Sequence, residues 1–162
     1  MMDGIIIALA AGIDQVLKYW IEGQEAEDFP RDLEKSGGKI RLYRNHNAGF
    51  PFGFLQKYEE AVRTIPLVVT SMLGGVLCYL AARKEKMAHR IALAVVIGGS
   101  VSNLYDRFVR RYVVDYFSVQ IGVLKKVVFN LGDICVFAGS GMFLVLEMFG
   151  QVQAVMDRKN DD

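Results

Sequence analysis

Histidine, cysteine and proline are scarce in this chain of 162 residues, with two His, two Cys and three Pro. Two cysteines, Cys78 and Cys135, are too few for a disulfide-rich secreted scaffold. Both lie inside apolar runs, where a free cysteine behaves as a small buried hydrophobe. His46 and His89 have no second ligand at useful spacing, so a zinc site is not expected. An excess of one charge sign is missing too: 19 basic against 18 acidic residues leave a formal +1, with no basic footprint for nucleic acid. What the chain has is apolar side chains, 52% against 23% charged, which excludes a disordered chain. A single large-core domain or a small integral membrane protein remains.

The run Thr64 to Ala82 decides between them. It carries no charge and is bracketed by Arg63 and Arg83. As a helix it is roughly 28 Å long, about the thickness of a bilayer's hydrocarbon core. A soluble helix of that length would show a polar face. Pro66 is expected in its first turn, where proline is tolerated. Three more segments read as spans with polar intruders: 5–21 with Asp14 and Lys18, 91–108 with Asn103 and Asp106, and 127–149 with Asn130, Asp133 and Glu147. Charges at membrane depth are retained mainly when they face a bundle interior or a polar cavity. The expectation is an all-α membrane protein, one domain over 1–162, with four transmembrane helices. Soluble amphipathic helices are the alternative, and the uncharged 64–82 run argues against them.

Residues 22–63 form a long polar segment outside the membrane. It is acidic at first, then alternates Ile40 and Leu42 with Arg41 and Tyr43, the pattern of a short strand before a Gly/Pro turn. Segment 40–58 is expected to gate the site, with Phe50, Phe52 and Phe54 at the membrane interface. Residues 83–90 read as a tight basic turn, 109–126 as a second long loop beside the first, and 157–162 as a frayed tail. Basic residues fall on both sides, so charge does not settle orientation. No Lys or Arg precedes Ile5, which argues against a cleaved leader.

Asp14 and Lys18 are four apart and share a helix face, so they can pair, and Asp14 can brace a neighbouring loop. Two Asn-x-x-Asp patterns follow, Asn103/Asp106 and Asn130/Asp133, with Asp115 between them in the apolar setting YVVDYF. Asp115 and Asp133 both fall near the start of the last span and can meet at one membrane face. Two carboxylates held close share a proton, so one draws a proton from water while the other donates. That is the equipment of an aspartic hydrolase.

These residues make the sequence resemble the lipoprotein signal peptidase (signal peptidase II) family. The resemblance rests on D-Q-x-x-K-x-W at Asp14, Gln15, Lys18 and Trp20, and on N-x-G at Asn47 and Gly49. G-G-x-x-x-N-x-x-D-R follows at Gly98, Gly99, Asn103, Asp106 and Arg107, then V-V-D at Val113, Val114 and Asp115, and F-N-x-x-D at Phe129, Asn130 and Asp133. It implies a four-helix membrane protease with a small extracytoplasmic β-cradle over about 22–63. It also implies both termini in the cytoplasm and a place in the cell inner membrane. Asp115 and Asp133 map onto the catalytic pair. Asn47 with Gly49 and Arg107 would hold the substrate backbone, Asn103, Asp106 and Asn130 would arrange the site, and Asp14 with Lys18 would support it. Diacylglyceryl-modified prolipoproteins and membrane lipids are the implied partners, with no nucleic acid, no metal or other cofactor, and a monomeric state. Ser102 stands where the family usually has Gly, and Gly132 where it usually has Ala. Both replacements are small and are expected to do little to close helix packing.

Two other readings differ in class. A non-enzymatic four-span protein, a small transporter or an assembly factor, would also keep membrane carboxylates, though no internal repeat is visible. A non-cutting relative would bind precursors only, and the presence of both Asp115 and Asp133 argues against it. Asp106–Arg107 could also be no more than an interfacial charge pair.

Overall fold

The computed structural model describes residues 1–49, 57–83 and 87–160. Four long helices, α1 (Met2–Glu22), α2 (Glu59–Ala82), α3 (Met87–Val109) and α4 (Leu131–Asn160), are each long and apolar enough to cross a membrane. A three-stranded antiparallel sheet joins them, with β1 (Arg31–Asp32), β2 (Ile40–Asn47) and β3 (Val113–Val119) in that order. β1 and β2 follow α1 and precede α2, and β3 links α3 to α4. The whole sheet therefore lies at one end of the bundle.

α3 is the central helix, and α1, α2 and α4 all pack on it. Close approach needs glycine at the contacts, because a Cβ would strike the neighbouring helix. On Gly98 it would stand 2.7 Å from the Ala10 Cβ of α1, and on Gly99 2.3 Å from the Gly132 carbonyl oxygen of α4. On Gly139 it would stand 2.7 Å from the Ala92 carbonyl oxygen. Leu77, Leu93, Ala94 and Ile97 form one core cluster, and Ile21, Val114 and Tyr116 a second beneath the sheet. Large apolar side chains such as Leu9, Val16, Val69, Met72, Phe137 and Leu144 point outward, as lipid-facing residues do.

Several boundaries differ from the sequence reading. α2 begins at Glu59, continued past the apolar run by an Arg63–Glu59 ion pair at 2.8 Å. Pro66 is therefore inside the helix, not in its first turn. α4 begins at Leu131, not at 127, because Phe129 is held in an antiparallel bridge to Phe117. Its helix runs on through the expected frayed tail to Asn160. Segment 109–126 is not a plain loop: its Val- and aromatic-rich centre is β3, and Gly122–Lys126 is a short 3-10 turn. Phe50, Phe52 and Phe54, with the rest of 50–56 in the expected gate, lie outside the described residues, and the first part of that segment is β2.

Candidate active site

A bulge aims the first carboxylate's partner. Leu42 pairs with Phe117 and Asn45 with Asp115, so β2 spends one extra residue there. The extra residue shifts the alternation, placing Asn45 and Asn47 on the face of Asp115 and turning Arg44 and His46 toward Glu22 (3.5 and 2.8 Å). Asn47 lies diagonally across from Asp115, and its Nδ2 donates to Asp115 Oδ2 at 3.1 Å.

The second carboxylate is set by the start of α4. Asn130 Oδ1 accepts the Asp133 N–H at 2.8 Å, and Asp133 Oδ2 accepts the Asn130 N–H at 3.2 Å. This reciprocal pair is a capping box, so the Asn-x-x-Asp motif here starts a helix instead of lying within one. The Asn130 Nδ2 also donates to Asp115 Oδ1 at 2.8 Å. One residue thus holds both Asp115 and Asp133.

Three amides are fixed in orientation by what their oxygens accept. Asn47 Oδ1 takes the Gly49 N–H at 3.0 Å, Asn130 Oδ1 takes the Asp133 N–H, and Asn103 Oδ1 takes Lys18 Nζ at 2.7 Å. Their Nδ2 groups must therefore face the carboxylates, and Asn103 Nδ2 reaches Asp133 Oδ1 at 2.8 Å. Each of the four carboxyl oxygens receives one N–H and keeps a lone pair for water, a proton or a substrate.

Beneath the pair is a closed charge network. Lys18 contacts Asp14 Oδ2 at 2.8 Å and Asp106 Oδ2 at 2.9 Å, with all three side chains fully buried. Arg110 pairs with Asp106 Oδ1 at 2.5 Å, balancing two anions with two cations. Asp106 Oδ2 also accepts the Val114 N–H at 3.1 Å, tying β3 to α3. Asp14 Oδ1 accepts from the Tyr116 hydroxyl at 3.0 Å, and that hydroxyl accepts the Leu131 N–H at 2.9 Å. Asp14 therefore both pairs with Lys18 and braces β3 and the first turn of α4. Asp106 and Arg107 do not form a charge pair with each other. Arg107 turns the other way, donating to the Gly49 carbonyl at 3.4 Å and to the Asn103 carbonyl at 3.4 Å.

All ten residues singled out from the sequence belong to this assembly. Asn47, Asn103, Arg107, Asp115 and Asp133 line a cavity of about 810 Å³ whose other wall is apolar, with Pro66, Val128, Phe129, Val136 and Phe137. Among the described residues, no group of three or more His, Cys, Asp or Glu could hold a metal ion. Burial first, and then the nearby Asp133, push the Asp115 carboxyl up to about 7 against the opposing Asn47 and Asn130 amides.

Sequence reasoning did not select Gln15, Ser102, Arg110 and Tyr116 as site residues. Gln15 Nε2 donates to the Ser102 carbonyl (3.0 Å), the Ser102 hydroxyl (2.9 Å) and Asp106 Oδ1 (3.1 Å). The signal for Arg110 is its i+4 spacing from Asp106, and that for Tyr116 is its place beside Asp115 on a strand. Ser102 has no such signal.

The family model for signal peptidase II matches residues 6–149. The chain belongs to the signal peptidase II family. Curated relatives agree: the lipoprotein signal peptidases of Brucella ovis and Brucella canis are each 30% identical over 151 residues, 90% of this chain and 88% of each relative. Two solved bacterial membrane enzymes share the fold. One has TM-score 0.76 at 19% identity, over 93% of this chain and 89% of that one; the other has 0.72 at 20%, over 90% and 91%. Family membership and the four apolar helices make this a multi-pass membrane protease and set aside the transporter and assembly-factor readings.

Proposed function

We propose that the protein is an aspartic endopeptidase that uses Asp115 and Asp133 to remove signal peptides from lipid-modified prolipoproteins. The observation that carries this is the double hold of Asn130 on both carboxyl groups at the wall of a half-apolar cavity. The pair carries one proton between them, and we assign Asp115, pushed up to about 7, as the acid and Asp133, at the positive end of α4, as the base. Asp133 takes a proton from water, and the hydroxide oxygen bonds to the scissile carbonyl carbon. Asp115 gives its proton to the carbonyl oxygen; the C–N bond then breaks as Asp133 gives its proton to the leaving amine, and a diol hydroxyl returns its proton to Asp115 as the C=O bond re-forms. Arg107 and the second Asn47 Nδ2 hydrogen are the donors facing the substrate backbone, and the remaining groups hold the pair in place.

The apolar wall on α2 and α4 suits acyl chains arriving from within the bilayer, and lipid anchoring turns a dilute encounter into a local one. Four spans put both termini on one side. We place them in the cytoplasm, with the sheet outside and the protein in the cell inner membrane as a monomer. The test is purified protein with a diacylglyceryl-modified prolipoprotein and its unlipidated counterpart. Signal-peptide release from the lipidated form alone is expected, and equal cleavage of both would refute the lipid requirement.

A further inference from the structure

Resting on that reading, we propose that Ser102 is a positioning residue for Asp133, and that Ser102 and Gly132 are an exchange pair competing for the space around Asp14 Oδ2. Ser102 is 1% exposed and its hydroxyl is fully used. It donates to Asp14 Oδ2 at 2.5 Å and accepts from Gln15 Nε2 at 2.9 Å and Lys18 Nζ at 3.4 Å. From α4, a Cβ on Gly132 would stand 3.0 Å from the same Asp14 Oδ2, 3.0 Å from Asn130 Oδ1 and 2.9 Å from the Gly99 carbonyl oxygen. One carboxylate oxygen therefore meets a hydroxyl from α3 and a bare Cα from α4. A side chain at 132 needs Asp14 to give way while the Ser102 hydroxyl holds it.

A shift of Asp14 reaches Asp133 by two routes. Asp14 holds Lys18, Lys18 donates to Asn103 Oδ1, and this aims Asn103 Nδ2 at Asp133 Oδ1. Gly132 is also the residue before Asp133, beside the Asn130 oxygen that caps the Asp133 N–H. Ser102 thus acts on the reacting carboxylate without touching substrate, and it does so only because position 132 is empty.

Four variants in detergent test this: Ser102→Ala, Ser102→Gly, Gly132→Ala, and the double Ser102→Gly/Gly132→Ala. Ser102→Ala should lower kcat for the lipidated precursor about tenfold, leave KM unchanged and displace the pH profile. Gly132→Ala should lose more, about thirtyfold, and melt lower. The double variant should cut faster and melt higher than Gly132→Ala alone. Additive effects in both kcat and melting would overturn the exchange pair. A lowered melting point with unchanged kcat and pH profile in Ser102→Ala would overturn the positioning role. Should the wild-type protein fail to cut the lipidated precursor, the functional reading falls, and with it the positioning role; the melting arm alone then decides the exchange pair. If Gly132→Ala does not fold, recovery of a folded double variant supports the pair and its failure to fold refutes it.

Discussion

α2 and α3 are nearly equal in length, 24 and 23 residues, yet they do opposite work. α2 has the longest uncharged run and buries only Val62 and Leu77. α3 carries Ser102, Asn103, Asp106 and Arg107 and buries twelve residues, those four included. In a bilayer the apolar helix meets solvent of its own kind, so nothing drives it inward. The polar helix has groups that hydrocarbon cannot satisfy, and these must face other helices. The segment that most clearly announces a membrane protein therefore gives the cavity only Pro66 among the described residues.

The largest expected effect lies on the polar side of that comparison. Asp115→Asn and Asp133→Asn should each lower kcat by at least about a hundredfold, with membrane insertion kept. Because the two carboxyls act as a unit, the double variant should be hardly slower than either single one. Turnover by the wild-type protein should follow a bell-shaped pH profile, since the pair needs one proton. Near-normal cleavage by either single variant would remove the aspartic mechanism.

Lys18→Met comes next. It leaves Asp14 and Asp106 fully buried without their shared cation, a loss of about 3–5 kcal/mol. Thermal melting in detergent should show a protein barely folded or inactive. An unchanged melting point would mean that the network holds no weight in the fold.

How much of this was legible in the sequence follows the same division. Spans were visible because a bilayer demands length and apolarity; seven of the ten site residues were visible because they interrupt those spans, and Asn47, Gly49 and Asp115 because their motifs fall between the spans at family spacing. Helix ends were not, since Glu59–Arg63 pairing and the Asn130 capping box operate outside the apolar signal. β3 reads as loop in the sequence because the strand is buried along nearly its whole length, so no alternation marks it. Ser102 looked like neutral filler, and only packing reveals that its hydroxyl joins three partners.

A pH titration sharpens the picture at the sheet. The Asp115 carboxyl rises from an ordinary 3.8 to about 7 in the fold, so the folded state binds this proton more tightly than the unfolded chain does. Below about pH 4 both states hold it and the cost is absent. The cost grows from pH 4 to 7 and is complete above, a loss on the order of a few kcal/mol. Stability of the wild-type protein should fall across that window, and Asp115→Asn should flatten the fall whatever its own melting point. An equal slope in both proteins would place the titration elsewhere.

The smallest effect comes from asking both helices the same question. Gly99→Ala on α3 would set a Cβ 2.3 Å from the Gly132 carbonyl oxygen and 2.8 Å from the Cys135 Cβ. Neither contact is a flexible side-chain end, so α3 and α4 must part, and Gly132 moves beside Asp133. A loss of about 1–3 kcal/mol, with falling kcat, is expected. Gly74→Ala or Gly75→Ala on α2 meets nothing within 4 Å. Both sites are helical, so alanine removes the entropic cost of glycine without adding a clash. These variants should be neutral or more stable by up to about 1 kcal/mol, with kcat unchanged. Melting points of the three single variants, measured together, decide the matter. A clear loss at 74 or 75 would mean that α2 has a partner on that face, and the contrast between a lipid-facing helix and a site-building one would fail there.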